Sequence, residues 1–189
     1  MELIEKIQAD LKEILSERRY THSVGVMEMA GELAEIYGVD IENAKLAGLL
    51  HDNAKEMSEE EMLKYVEENN IEINEFDKHN VKILHGKIGA DIAKKKYGVS
   101  EQIQKAIEYH TTTNPNMDIL AKIVYISDKI ELTRKSDSYD IEQEREIAKQ
   151  DLDEAVLLII NNTTKHLIDN DKLIAVESIE TRNKILLKH

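Results

Sequence analysis

Apolar positions recur along most of this chain with the three-to-four spacing of a helix face, and nowhere is the alternation of a half-buried strand sustained. The pattern predicts a first helix over residues 2–17. A second, "RYTHSVGVMEMAGELAEIYG", stops near Gly38, and a third, "IENAKLAGLLHD", is capped by Asp40. Ser58 and Glu61 in "SEEEMLKYVEE" form a capping box that opens a fourth. Further helices are predicted near 77–96, 100–111, 116–134, 141–168 and 177–187, interrupted by Gly98 and by Asn114 with Pro115. The stretch "KSDSYD" before residue 141 is the expected mobile loop. No linker, repeat or low-complexity tract divides the chain, so one all-α domain over 1–189 is expected.

Composition agrees with that reading. Among 189 residues there are seven glycines and one proline, while Leu, Ile, Ala, Glu and Lys dominate. Cysteine is absent, which excludes disulfides, thiolate catalysis and zinc–cysteine sites and leaves histidine and carboxylate for metal binding. The apolar run "AVLLII" is far short of the roughly twenty residues that span a bilayer, and "MELIEKIQADLKEIL" lacks a signal-peptide core, so a soluble cytoplasmic protein without a membrane partner is expected. The formal charge of −13 argues against a nucleic-acid partner. It also means that a phosphorylated substrate needs a locally positive site, which bound metal ions would supply.

Placing the histidines on their helices carries the functional argument. His22, Val26, Met29, Leu33 and Ile36 follow one apolar stripe; Ala44, Ala47 and His51 share a face. Val81, His85, Ile88 and Ile92 repeat the spacing, and so do Ile103, Ala106, Ile107 and His110. Leu120, Val124 and Asp128 put a carboxylate on the buried stripe of "LAKIVYISDKIE". A buried carboxylate must be protonated, paired or metal-bound. One inward histidine is more often a hydrogen-bonded core residue than a ligand, but four of them with Asp52 and Asp128 are not a chance arrangement. By contrast His79 falls off the stripe, His166 is expected to have no acidic neighbour in reach, and His189 is the terminal residue, so both are expected to be silent.

Inward histidines and aspartates make a nitrogen–oxygen metal site that suits iron, manganese, nickel, cobalt or zinc. His22, His51, Asp52 and Asp128 suffice for one ion, and His85 and His110 are then in excess. Two ions bridged by Asp52 use all six residues and leave about +2 of local charge for phosphate oxygens. The adjacency of His51 and Asp52 follows, because both bind metal whose charge compensates their burial.

The ordered set of His22, the "HD" pair at 51 and 52, His85, His110 and Asp128 resembles the HD-domain metal-dependent phosphohydrolases, which are all-helical bundles. The stretches "RYTHSVGV", "AGLLHDNAKE", "ILHGKIGA", "YHTTTN" and "YISDKIELTR" are similar to the YqeK-type branch, the bacterial symmetrical bis(5′-nucleosyl)-tetraphosphatases. The likeness runs from about residue 15 to the C-terminus, with the motifs in about 15–135 and C-terminal helices over 141–187. It implies a di-iron centre on those six residues and cleavage of diadenosine tetraphosphate into two ADP. Two departures stand near the substrate side: "HTTTN" where the family has glycine soon after "HT", and Glu131, Leu132, Thr133, Arg134 where it has E-P-x-R.

The implied mechanism is attack on phosphorus by a water that the metals activate, with Asp52 and Lys55 as catalytic residues. Lys55, one turn beyond Asp52, would bind a phosphate or stabilise the leaving diphosphate, and Arg19 and Arg134 would clamp phosphates. Thr111 would orient His110, touch a phosphate or cap a helix. Alternatives are a single-metal HD phosphohydrolase acting on deoxynucleotides or guanosine tetraphosphate, and a metal-bearing domain that senses nucleotides without turnover. A purely structural role for the buried histidines is the third. Monomer and homodimer are both compatible with the acidic helical surface.

Overall fold

Short polar side chains divide the chain into its helices. Ser16, Asp40, Ser58, Asn74, Ser100, Asp118, Asp140 and Asp151 each accept a backbone N–H from the turn that follows, satisfying donors that a helix start leaves open. The computed structural model describes residues 2–135 and 140–188, and among them no strand occurs. The helices are α1 (Glu2–Ile14), α2 (Glu17–Tyr37), α3 (Ile41–Leu50), α4 (Glu59–Glu68) and α5 (Glu75–His79). A 3₁₀ turn (Val81–Leu84) leads into α6 (His85–Tyr97), followed by α7 (Glu101–Tyr109), α8 (Ile119–Ile130), α9 (Ile141–Gln150), α10 (Leu152–Asp169) and α11 (Val176–Leu186). The all-α expectation holds, as do the Asp40 cap, the Ser58–Glu61 capping box and the stop at Gly38.

Several boundaries differ from the sequence pattern. The first helix stops at Ile14 because Ser16 caps the next one. The predicted helix over 77–96 is three pieces: the Asn74–Asp77 capping box starts a short α5, Asn80 breaks it at φ −133°, and the 3₁₀ turn intervenes before α6. Likewise 141–168 is two helices, parted at the extended Asp151, whose side chain caps α10. Ile36 is exposed together with Ile41 across the α2–α3 turn, where packing against other helices has run out. Residues 136–139 of "KSDSYD" lie outside the described residues.

The main core runs from Ile7 and Leu11 of α1 through Leu33, Leu49, Leu50, Ile107 and Ile123 to Ile160 and Ile185. A smaller cluster of Ala54, Met62, Val66, Leu84 and Ile88 sits under α4. At the tightest crossing, a Cβ on Gly48 of α3 would lie 2.9 Å from the Val26 carbonyl of α2, so only glycine lets the two backbones approach. Helix α8 packs against α2, α3, α7, α9 and α10 and is buried on nearly every face from Leu120 to Ile130. Burying each large aliphatic side chain there stabilises by about 1.5–3 kcal/mol, whereas a carboxylate in the same helix is costly unless paired. Asp128 is that carboxylate.

Candidate metal centre

Helix ends orient three of the four inward histidines. His51 directly follows α3, His110 directly follows α7, and His85 directly follows the 3₁₀ turn. Each donates its Nδ1–H to the carbonyl three residues back: His51 to Gly48 at 2.7 Å, His85 to Lys82 at 2.6 Å, His110 to Ile107 at 2.6 Å. The last carbonyls of a helical turn lack onward partners, so the fold supplies acceptors wherever a histidine ends a turn. His22 lies inside α2, where no carbonyl is spare, and its Nδ1–H goes to Glu131 Oε1 at 3.0 Å. All four rings thus spend Nδ1 on an orienting bond and turn Nε2 inward. After α3 the chain tightens into successive i→i−3 turns, with Asn53 N on Leu50 O and Lys55 N on Asp52 O. That tightening lets the consecutive His51 and Asp52 share one cavity.

The six residues singled out as metal ligands converge, none more than 7% exposed. Asp52 stands between two groups. Its Oδ2 faces His51 Nε2 at 3.4 Å and His22 Nε2 at 3.8 Å, while Asp128 Oδ1 lies 3.0 Å from His22 Nε2 and 3.7 Å from His51 Nε2. Its Oδ1 faces His85 Nε2 at 3.1 Å and His110 Nε2 at 3.5 Å, and it accepts no hydrogen bond. The triads His22–His51–Asp128 and His51–Asp52–His110 each place one donor atom per residue within 4.8 Å of one another, close enough to hold an ion, and His85 adjoins the second.

The electrostatics ask for positive charge in both halves. Nε2 atoms meet at 3.2 Å between His22 and His51 and at 3.1 Å between His85 and His110, so lone pairs face each other unless a cation intervenes. In the first half burial opposes a proton on His51, but the Asp52 and Asp128 carboxylates raise its pKa to about 9. In the second half burial lowers His110 to about 4 and depresses His85, and the Lys55 ammonium donates to His85 Nε2 at 3.1 Å instead. Burial also lowers the Lys55 pKa. Burial disfavours ionised Asp52 and Asp128 too, yet His51 beside the first and Lys129 beside the second hold both carboxyls well below the ordinary range. This donor set, with an orphaned carboxylate oxygen between two pairs of imidazole lone pairs, fits two divalent cations.

Of the residues expected to touch substrate, Arg19 bonds Asp52 Oδ2 at 2.7 Å, Lys55 reaches to 3.9 Å from Asp52 Oδ1, and Arg134 bonds Asp128 Oδ1 at 2.8 Å. Thr111 is half-buried beside His110 and lines a neighbouring cavity, while His110 is oriented by Ile107. His79 and His166 are exposed; His189 lies outside the described residues. Two participants escaped the sequence reading. Glu131 is 1% exposed and holds His22; burial opposes its charge, but bonds from Thr133 and His22 keep its pKa below the usual value. Lys129 donates to Asp128 Oδ2 at 2.7 Å. Both lie within one turn of Asp128, and that proximity was the available signal.

Known proteins are similar to this chain in sequence and fold. The HD domain family model matches residues 19–133. The symmetrical bis(5′-nucleosyl)-tetraphosphatase of Bacillus subtilis is 36% identical over 180 residues, covering 95% of each chain. That of Staphylococcus aureus is 34% identical over 181 residues, covering 95% of this chain and 93% of its own. The chain belongs to the HD-domain family, among the symmetrical bis(5′-nucleosyl)-tetraphosphatases. Within that family the fold is closely kept: an HD superfamily hydrolase from Clostridium acetobutylicum, described as involved in NAD metabolism, superposes with a TM-score of 0.94 at 39% identity, covering 98% of this chain and 97% of that one. No helix among the described residues is long and apolar enough to cross a membrane.

Proposed function

We propose that the protein hydrolyses dinucleoside tetraphosphates symmetrically, giving two nucleoside diphosphates, with diadenosine tetraphosphate yielding two ADP. The observation that carries this reading is the position of Asp52, whose two oxygens face separate pairs of histidines. A single-ion enzyme has no use for His85 and His110 in that arrangement, and the relatives named as tetraphosphatases support the substrate.

His22, His51, Asp128 and Asp52 Oδ2 would hold one ion, and His85, His110 and Asp52 Oδ1 the other. When bound, the ions supply Lewis-acid activation of a water and of the phosphoryl oxygens. Iron is the metal proposed, on the family resemblance; the same donors accept manganese, nickel, cobalt or zinc. Asp52 and Asp128 fix the charge of the centre, and Glu131 keeps His22 in register. Arg19, Lys55 and Arg134, with Lys129, form a cationic rim within reach of the two carboxylates, which a tetraphosphate needs on a chain of net charge −13. Lys55, nearest the second half, is assigned to the departing diphosphate, and Thr111 to the substrate edge. Water adds at one central phosphorus and the bridging oxygen leaves with the other, so each product carries two phosphates. The enzyme is placed in the cytoplasm, as monomer or homodimer, with a nucleotide and not a nucleic acid or membrane as its partner.

The deciding experiment is incubation of metal-loaded protein with diadenosine tetraphosphate and ion-exchange separation of the products. ADP alone supports the reading. ATP with AMP keeps a phosphohydrolase but overturns the symmetrical cut, and no turnover with two metals shown present overturns the substrate.

A further inference from the structure

Beside the metal centre lies a cavity of about 220 Å³ that the reaction at the metals does not explain. It is lined by Phe76 of α5, Ile83 of the 3₁₀ turn, Tyr125 of α8 and Leu167 of α10, with Ile174. Thr111 and Lys129 form its border with the centre. Those two directly follow His110 and Asp128 in sequence, and the Lys129 ammonium that lines the cavity is 2.7 Å from Asp128 Oδ2. The cavity and the metal cluster are therefore continuous through one side chain.

Three features say what fits there. The volume is below the roughly 300–1,000 Å³ of a site for a whole drug-sized ligand, so it takes one end of a larger molecule. Phe76, the sole phenylalanine of the chain, is half-buried on the wall and offers a face for a flat ring. Tyr125 is 3% exposed, yet among the described residues no hydrogen bond reaches its hydroxyl. The hydroxyl is not sealed off from the cavity that Tyr125 lines, so it can donate to a base ring nitrogen or accept from an exocyclic group. Burial raises the pKa of Tyr125, so the hydroxyl keeps its proton and is available as a donor.

The geometry points to this cavity as the site for one nucleobase of the substrate, with Phe76 stacking on the ring, Tyr125 hydrogen-bonding its edge, and Lys129 meeting the phosphates where the cavity joins the metal centre. The assignment rests on the nucleotide reading of the centre and adds which surface recognises the nucleoside. It makes Phe76 and Tyr125 binding residues that neither the motifs nor the metal ligands include.

The test uses metal-loaded full-length protein and three variants: Phe76→Ala, Tyr125→Phe, and Leu167→Trp, which fills the cavity from a half-exposed position and leaves the core intact. ADP affinity is measured by calorimetry, and the preference for diadenosine tetraphosphate over inorganic tetraphosphate by kcat/KM. The expected result is about a tenfold loss of ADP affinity in Phe76→Ala and Leu167→Trp, a smaller loss in Tyr125→Phe, and a parallel fall in preference for the base-bearing substrate. Unchanged ADP affinity in Phe76→Ala and Leu167→Trp, with circular dichroism confirming their folds, overturns the cavity assignment even if the wild type cleaves the dinucleotide. Loss of ADP affinity in those variants in a protein that does not cleave the dinucleotide supports the cavity assignment and removes the tetraphosphatase reading alone.

Discussion

The Nε2 atoms of His85 and His110 stand 3.1 Å apart, and both rings have committed their only neutral-state proton to a backbone carbonyl on the other side. Two lone pairs aimed at one another beside the orphaned Asp52 Oδ1, with the Lys55 ammonium 3.1 Å from His85 Nε2, offer the donor atoms that a cation needs.

The first prediction follows from that pair. Protein purified anaerobically should carry about two ions per chain by elemental analysis, and His85→Ala or His110→Ala should reduce this to about one. His22→Ala should weaken the other position. Unaltered metal content with only a lowered melting temperature in the His85 and His110 variants would sink the two-ion assignment.

Glu131 gives the second. It orients His22 through Nδ1, leaving Nε2 for the proposed ion, and loss of such a partner typically lowers metal affinity by about 10–100-fold. Glu131→Gln keeps an acceptor for His22 Nδ1 but removes the charge that strengthens Nε2 as a donor, so its effect should fall at the lower end. Gly25→Ala should act in the same direction through sterics alone, because its Cβ would lie 2.6 Å from Glu131 Oε2 and must displace the carboxylate. Competition with a chelator of known affinity reads both.

Protons and metals compete at His51. Its pKa, raised from 6.5 to about 9 in the metal-free site, means that at neutral pH an incoming ion must displace a proton from it. Titrations in buffers of different ionisation enthalpy should show about one proton released from this group near pH 7, and the affinity of this half should rise with pH until about 9. His110, already neutral down to about pH 4, adds no release. The same shifts set the stability of metal-free protein. A histidine with a raised folded pKa contributes stability that is complete below 6.5 and lost as pH rises through 9; one with a lowered pKa contributes stability that is lost as pH falls from 6.5 toward 4. Metal-free protein should therefore be most stable near pH 6–7 by thermal melts, and a monotonic rise from pH 5 to 9 would contradict this assignment of charge.

The α2–α3 crossing offers a test of packing apart from chemistry. Gly48→Ala places a methyl group 2.9 Å from the Val26 carbonyl, and backbone on both sides leaves little room to yield. Overpacking of this kind destabilises by about 1–3 kcal/mol, a drop in melting temperature of roughly 2–12 °C for a chain of this size. Because Gly48 also supplies the carbonyl that orients His51, the shift should be accompanied by weaker metal binding. A variant equally stable to wild type would show that the two helices have slack.

What the sequence made legible and what it concealed divide along physical lines. His22, His51, His85, His110 and Asp128 were readable because the helical period forces inward positions, and a polar residue at such a position is conspicuous. The orienting partners were not, since three are backbone carbonyls at helix ends, which carry no letter of their own, and the fourth, Glu131, is paired with a residue more than a hundred positions away. The break at Asn80 was hidden for a different reason. Val81, His85, Ile88 and Ile92 keep helical spacing across it, because a 3₁₀ turn followed directly by an α-helix holds the periodicity nearly in phase. Lys129 was masked by adjacency, as residues i and i+1 on a helix do not share a face, and its long side chain reaches back to Asp128 at the helix end.

Arg19 and Lys55 supply the last prediction. Both side chains reach Asp52, at 2.7 Å and 3.9 Å. Divalent ions placed between Asp52 and the histidines would oppose these like charges and weaken their hold on the carboxylate, since the interaction scales with charge and falls with distance in a poorly screened pocket. Both side chains are partly exposed and long enough to swing toward solvent, where a tetraphosphate presents its oxygens. Their substitution should thus spare the metals and harm the substrate. Arg19→Ala and Lys55→Ala are expected to retain about two ions per chain while kcat/KM for diadenosine tetraphosphate falls by about 10–100-fold, a loss of roughly 1.4–2.7 kcal/mol in transition-state stabilisation. If Lys55 serves the departing diphosphate, its variant should lose mainly kcat, whereas a clamp at Arg19 should show chiefly in KM. Loss of metal along with activity in either variant would mean that the cation is needed to assemble the centre and would remove it from the substrate rim.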